Sequence, residues 1–282
     1  MALIQEIERV DRQIRRAKTV LQQAEAKRAL KQQEYNREMF RIQQGRVYKV
    51  FVACPAYRWP IDDHTAMSLN ATVAHPGLDV EFQAVVGDAH IERARAMLLM
   101  HSRLHPKVFD YFLNVDWDIE WNPEDLYRMC CRADTHKIAV LGGPYAFKTE
   151  DEKGKAGQAV MRVLPGAQVN EATHMIECAY VGSGFMLIDA GLFHKIQAQY
   201  PELQFNANPD LHSEMPPTLA AWNPVIIPRP DWGENHGELL SEDYSFCHRV
   251  REMGERVVMD LTVKLTHWSG DKAFRLPMEP AS

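Results

Sequence analysis

Phe109-Asp110-Tyr111-Phe112-Leu113-Asn114-Val115-Asp116-Trp117-Asp118-Ile119-Glu120-Trp121-Asn122-Pro123-Glu124-Asp125 holds a strand, an acidic turn and the start of a helix in one stretch. Phe109 to Val115 is a short, largely aromatic and apolar run and reads as a buried strand. It runs straight into Asp116-Trp117-Asp118. Asn122 then supplies an N-cap, Pro123 a first-turn proline, and Glu124 and Asp125 acids suited to the positive end of a helix dipole. A helix is therefore predicted through about Arg132. A strand handing over to a helix is the unit of α/β sheets, and such sheets bind ligands in the crevice at the carboxyl ends of their strands.

The same alternation extends in both directions. Val47 to Ala53, ending at Pro55, reads as a first buried strand and Val80 to Val86 as a second. Ile91 to Leu104 reads as a helix with Ala94, Leu98 and His101 along one stripe. Downstream, Ile138 to Leu141 is an apolar run closed by Gly142-Gly143-Pro144, and Thr149 to Gly157 is charged and glycine-containing, a loop. Met175 to Tyr180 and Phe185 to Ile188 flank Val181-Gly182-Ser183-Gly184, and Leu192 to Tyr200 is helical. Pro201 to Gly237 carries seven prolines and reads as a long loop region of the kind that builds acceptor pockets or lids. Ser241 caps a helix to about Met253, Gly254 stops it, and Arg256 to Leu261 returns as a strand leading to Thr266-His267-Trp268.

Before all of this lies a different kind of sequence. From Ala2 to about Gln44 there is no Pro or Gly, and Ala, Gln, Glu, Lys and Arg dominate, as a long helix requires. Ile7, Val10, Ile14, Ala17, Leu21 and Ala24 form a three-heptad seam that Arg28 and Lys31 end, so a short coiled coil is predicted. The arm could pair two subunits, fold back as a hairpin or lie on the body. The division predicted is a basic helical arm over 1–45 and one catalytic domain over 46–282. The arm carries ten Lys/Arg against six Asp/Glu, and the remainder 22 against 32. A basic arm serves a nucleic acid, a membrane surface or a partner helix, and composition does not choose among them.

No run approaches the ~18 apolar residues of a membrane span, and Met1 to Arg16 lacks the apolar core of a signal peptide. A cytoplasmic protein is expected. Cys54, Cys130, Cys131, Cys178 and Cys247 are odd in number without CxxC pairing, which indicates neither a disulfide framework nor a zinc ribbon.

Three short segments carry candidate chemistry. Two carboxylates at a strand end, Asp116 and Asp118, can hold a hard divalent cation, which can bridge a diphosphate and neutralise the charge of its departure. The same pair can also be a solvated turn with a helix-capping acid. Glu242 and Asp243 follow the cap Ser241, where acids suit any helix dipole, and a carboxylate at a pocket edge can also act as general base. His267 stands just past a strand, either as a structural histidine or as a ligand.

In this order, strand and Asp-x-Asp, Glu-Asp at a helix start, and a strand ending in His, the chain resembles the nucleotide-sugar glycosyltransferases of the GT-A fold. That fold is a Rossmann-like mixed β-sheet flanked by helices. The match is to family-2-like and phage-encoded members, which carry a segment like Ile91-Glu92-Arg93-Ala94-Arg95 before the Asp-x-Asp and a Gly-Gly-x-Tyr segment after it. It covers roughly 47–270. The resemblance implies a divalent cation, Mn2+ or Mg2+, on Asp118 and His267, with Asp116 touching the metal, its bound water or the ribose. It implies Asp243 as base with Glu242 in support, and Pro55, Ala56 and Tyr57 along the nucleoside. Arg93 or, better, Arg95 would reach base or phosphate, and Gly184 would lie in a small-residue turn under the donor sugar. Trp117 and Trp268 could stack on sugar or base, or simply pack. The co-substrate implied is a UDP-sugar, the reaction an inverting transfer, and the compartment the host cytoplasm for a phage-encoded enzyme.

For the acceptor, the phage-like resemblance implies hydroxymethylated pyrimidines in DNA, for which a basic arm could supply phosphate contacts. The acidic body argues against DNA, and a surface or lipid-linked glycan is the alternative. A nucleotidyltransferase would also use paired carboxylates and a metal, but Ala53-Cys54-Pro55-Ala56-Tyr57 has neither the glycine nor the lysine of its phosphate loop. A non-catalytic sugar-binding or coiled-coil interaction protein is the remaining rival.

Overall fold

The computed structural model describes residues 45–149, 158–206, 217–229, 231 and 236–276, with nine scattered positions between 18 and 32. The chain divides into two units, Met1–Val47 and Tyr48–Ser282. In the first, the nine described positions between 18 and 32 are helical and exposed. The heptad seam from Ile7 to Ala24, and pairing of subunits through it, lie outside the described residues.

In chain order the second unit begins β1 (Tyr48–Ala56), α1 (Asp63–Ala74), β2 (Leu78–Val86), α2 (Ile91–Leu104), β3 (Tyr111–Val115), β4 (Ile119–Glu120), α3 (Pro123–His136) and β5 (Val140–Gly142). It continues with β6 (Met161–Val163), β7 (Met175–Val181), β8 (Phe185–Asp189), α4 (Leu192–Gln199), β9 (Gln204–Phe205), β10 (Thr218–Leu219), β11 (Ile226–Pro228) and β12 (Gly237–Leu239). It closes with α5 (Glu242–Glu252), β13 (Val257–Asp260), β14 (Thr266–Ser269) and β15 (Lys272–Phe274).

Eight strands form one mixed sheet in the order β2-β1-β3-β8-β5-β13-β7-β6. β1 pairs in parallel with β2 and β3, β8 runs antiparallel between β3 and β5, and β13 pairs in parallel with β5. The alternation of side chains along each strand sorts the core into two layers. Phe51, Ala53, Phe112 and Ile188 face one layer, which α2, α4 and α5 cover with Leu98, Phe193 and Phe246. Val50, Val52, Leu113 and Leu187 face the other, covered by Leu126 and Met129 of α3. The fold is therefore a mixed α/β sheet with helices on both faces, and no described helix is long and apolar enough to cross a membrane. None of the five cysteines forms a disulfide, and four are buried.

Three local expectations need correction. β1 does not stop before Pro55 but continues to Ala56 alongside β2. It can do so because β3 pairs only as far as Ala53, so at Pro55 one side of the strand has no ladder to interrupt. α1, absent from the sequence reading, is started by Asp62, whose side chain accepts from the His64 amide at 2.9 Å. The proline-rich region after Pro201 is not loop throughout. Leu219, Ala220, Ala221 and Trp222 are buried, and the Trp222 ring stacks on Phe246 with centroids 4.9 Å apart. Trp222→Ala is expected to lower the free energy of unfolding by about 3–5 kcal/mol, the range for an aromatic removed from a close-packed core. Urea denaturation of the variant and the parent measures it.

A second, three-stranded sheet, β15-β14-β4, sits where the chain leaves β3. β14 pairs antiparallel with β4, Thr266 opposite Glu120 and His267 opposite Ile119. This pairing ties the late part of the chain to the Asp-x-Asp turn.

Candidate active site

Asp118 is the last residue before β4 and is only 4% exposed. The Trp268 amide donates to its carbonyl at 2.9 Å, extending the β4–β14 ladder by one step. That register brings His267 Nε2 to 3.3 Å from Asp118 Oδ1. The other ring nitrogen, Nδ1, lies 2.9 Å from the carbonyl oxygen of Ala146. A carbonyl only accepts, so Nδ1 carries a proton, which leaves Nε2 as the ring nitrogen that would face a cation. On its other side Asp118 Oδ2 accepts from the Lys148 ammonium. Burial works to raise the Asp118 carboxyl, but its contacts with His267 and Lys148 outweigh burial and hold it below the usual carboxylate range.

The side chain of Asp116 has a different set of neighbours. Its Oδ1 is 3.5 Å from Arg95 Nη2, and Arg95, 2% exposed on α2, donates through Nη1 to Glu242 Oε1 at 2.7 Å. One buried guanidinium thus joins the Asp-x-Asp turn to the start of α5. Burial raises the Asp116 carboxyl, and the Arg95 charge partly offsets the rise. The Asp243 carboxyl is also raised, by burial first and then by the neighbouring Glu242 charge. Ser241 precedes α5 as expected but makes no side-chain cap to the backbone. Its hydroxyl donates to Asp243 Oδ1, which also accepts from the Tyr244 amide at 2.8 Å.

The Asp116–Asp118 turn, Lys148 and His267 border a cleft of about 250 Å3 that Pro55, Ala56, Tyr57 and Trp117 also line. Pro55 and Ala56 are buried at the end of β1, while Tyr57 is 76% exposed beside them. The Trp117 ring has the Arg58 guanidinium 5.1 Å above it. Three of the residues singled out in the sequence have other surroundings. Arg93 is a surface residue whose Nε and Nη2 grip Asp88 at 2.8 and 2.7 Å. Trp268 stacks on His64, centroids 3.6 Å apart, and its Nε1 donates to Glu120 at 2.9 Å. Gly184 is closed in from the protein side: a Cβ there would lie 2.6 Å from Tyr145 Cζ and 2.9 Å from Asp116 Oδ2. Its amide donates to the Tyr145 hydroxyl at 3.1 Å. Gly184→Ala is therefore expected to displace Tyr145 and lower stability by about 1–3 kcal/mol, the usual penalty of overpacking. Its thermal melting curve beside that of the parent reads the loss.

Lys148 and Tyr145 were not singled out in the sequence. Tyr145 belongs to the Gly-Gly-x-Tyr segment, a signal that was available. Lys148 is one of many lysines, and nothing local in the sequence marks it.

Among the described residues no group of three or more His, Cys, Asp or Glu side chains converges as a cation cage. Asp118 and His267 do converge, and they suit a divalent cation whose remaining positions are filled by ligand or solvent oxygens. The carboxylate is buried and ionised, and the imidazole tautomer is set by a backbone carbonyl. The cleft thus offers a carboxylate–imidazole pair able to hold a cation, and the buried Arg95 guanidinium links its Asp116 to the start of α5, where the Asp243 carboxyl has a raised proton affinity.

No family model matches the chain, and no curated protein does. Among solved structures it is similar to one described as the crystal structure of GalNAc-T7 with UDP, GalNAc and Mn2+, at 10% sequence identity and a TM-score of 0.42. The match covers 80% of this chain and 46% of that one, so the chain spans less than half of that neighbour's length. A likeness at this distance fixes neither substrate nor residue roles.

Proposed function

We propose that the protein is a divalent-metal-dependent glycosyltransferase of the GT-A type, transferring a sugar from a nucleoside diphosphate, UDP first among the candidates, to an acceptor hydroxyl with inversion. The observation that carries this reading is the convergence, outside the carboxyl ends of β1 and β3, of Asp118 with His267 and, through Arg95, of Asp116 with Glu242. Asp118 and His267 would hold Mn2+ or Mg2+, which when bound neutralises charge on the departing diphosphate. Pro55, Ala56 and Tyr57 wall the end of the cleft where a nucleoside would lie, with Trp117 as a stacking surface. Asp243 takes the proton of the acceptor hydroxyl, and its raised carboxyl brings its proton affinity nearer to that needed at neutral pH. Glu242 holds Arg95 in place and keeps a negative charge beside the base. Arg95 acts from behind Asp116, its guanidinium being buried between carboxylates.

The acceptor put forward for testing is a hydroxymethylated pyrimidine in DNA, with a surface or lipid-linked glycan as the alternative. The test is nucleoside diphosphate release by the purified chain from UDP-, GDP- and TDP-sugars, with Mn2+, Mg2+ or EDTA, with and without hydroxymethylated DNA. Metal-dependent release from one donor supports the enzyme class, and acceleration by the modified DNA supports that acceptor. Release indifferent to DNA moves the acceptor to glycans. No release from any donor under any condition sinks the transferase reading.

A further inference from the structure

Lys148 is the residue of this site that the proposed chemistry does not use. Its side chain is 34% exposed and reaches in from the cleft wall to place its ammonium on Oδ2 of Asp118, a carboxylate whose own exposure is 5%. The segment bearing it is held against the body by the Ala146–Ala159 bridge and by the Phe147 amide on the Gln158 carbonyl at 3.2 Å. Two residues before Lys148, the Ala146 carbonyl orients His267 toward the other oxygen of the same carboxylate. One short strip of chain therefore does two things. It aims the imidazole that would bind a cation, and it supplies a cation of its own.

A buried carboxylate without a counter-ion is costly, so some positive charge has to stand at Asp118 whether or not a metal is bound. A dication bound to the same carboxylate would repel an ammonium in direct contact with it at a distance where little solvent intervenes. Resting on the metal-dependent reading above, we propose that Lys148 is a resident counter-ion exchanged for the divalent cation: its ammonium holds Asp118 in the metal-free protein and leaves when the metal binds. The contact then sets the affinity for metal, because each binding event must first break the Lys148–Asp118 pair. The partial exposure of Lys148 gives the displaced ammonium a short path into the cleft and to solvent.

The exchange is read by titrating the 282-residue chain with Mn2+ and following the electron paramagnetic resonance signal of free aqueous Mn2+, without nucleotide. Lys148→Met is expected to bind Mn2+ about tenfold more tightly than the parent, the scale of one partly buried ion pair. Lys148→Gln should do the same, and Lys148→Arg should bind like the parent. In the metal-free state Lys148→Met should melt at a lower temperature than the parent, and Mn2+ should recover the loss. Affinity in both neutral variants equal to or weaker than the parent's overturns the exchange. If in that case the parent still binds Mn2+ in the presence of UDP and Asp118→Asn does not, the metal-dependent reading survives alone. If the parent binds no Mn2+ even with UDP, that reading fails and the exchange fails with it.

Discussion

Asp118→Asn is expected to reduce metal-dependent turnover of the donor by about 10³-fold, equivalent to about 4 kcal/mol of transition-state stabilisation. The amide keeps the shape of the carboxylate but removes the charge that faces both His267 and Lys148, so the proposed cation position loses the anionic side chain in contact with the imidazole. Because the side chain is buried, the substitution also leaves the Lys148 ammonium without its partner. Folded content should therefore be verified by far-ultraviolet circular dichroism before rates are compared. The measurement is the initial rate of nucleoside diphosphate release at saturating donor and Mn2+. A folded variant within threefold of the parent rate would falsify the assignment of Asp118 to the cation.

Asp243→Asn is expected to lower kcat by about 10²- to 10⁴-fold, the contribution of a positioned general base, with little change in the KM for donor. Its pH dependence carries a sign that can be worked out in advance. A general base at Asp243 would act only when ionised, and burial together with the Glu242 charge raises its carboxyl. The acid limb of the rate profile therefore lies above the value of about 3.9 for a free aspartate. Glu242→Gln removes the like charge and frees Arg95 to act on the remaining carboxylates, so it should move the acid limb to lower pH. A limb that stays in place after Glu242→Gln assigns the titration to another group.

The same shift has a consequence for stability. A carboxyl raised by folding binds its proton more tightly in the folded state, so as pH rises from the unfolded value through the folded one, ionisation of Asp243 withdraws stability. Asp243→Asn should thus be as stable as the parent at neutral pH, or more so, while losing activity. That pairing separates a functional carboxylate from a helix-capping one.

Much of this architecture can be read from local pattern. The run Tyr111 to Val115, the cap Asn122-Pro123 and the stop at Gly254 each state their structure within a few residues, and each is found where the pattern places it. The reading weakens where an outcome depends on what lies across space. Pro55 looks like a strand terminator until β3 is seen to stop pairing at Ala53. The prolines after Pro201 hide a core tryptophan because loop composition says nothing of what packs on Phe246. In the site, Asp118 and His267 are nameable as residue types, but only the β4–β14 register brings them together. Arg95 could be named for its motif but not for its buried position between Asp116 and Glu242. Gly184 could be named for a tight turn, but the group that forbids its side chain, Tyr145, comes from another element. Lys148 could not be named at all, since its role follows from a carboxylate thirty positions earlier.

The β4–β14 pairing also orders events in time. Synthesis proceeds from the amino end and domains begin to organise as they emerge. The main sheet has all eight of its strands once Asp260 has been added, yet Asp118 then still lacks the imidazole that faces it. The Asp118–His267 pair is complete only once Thr266–Ser269 is paired with Ile119–Glu120, a segment made after every strand of the main sheet.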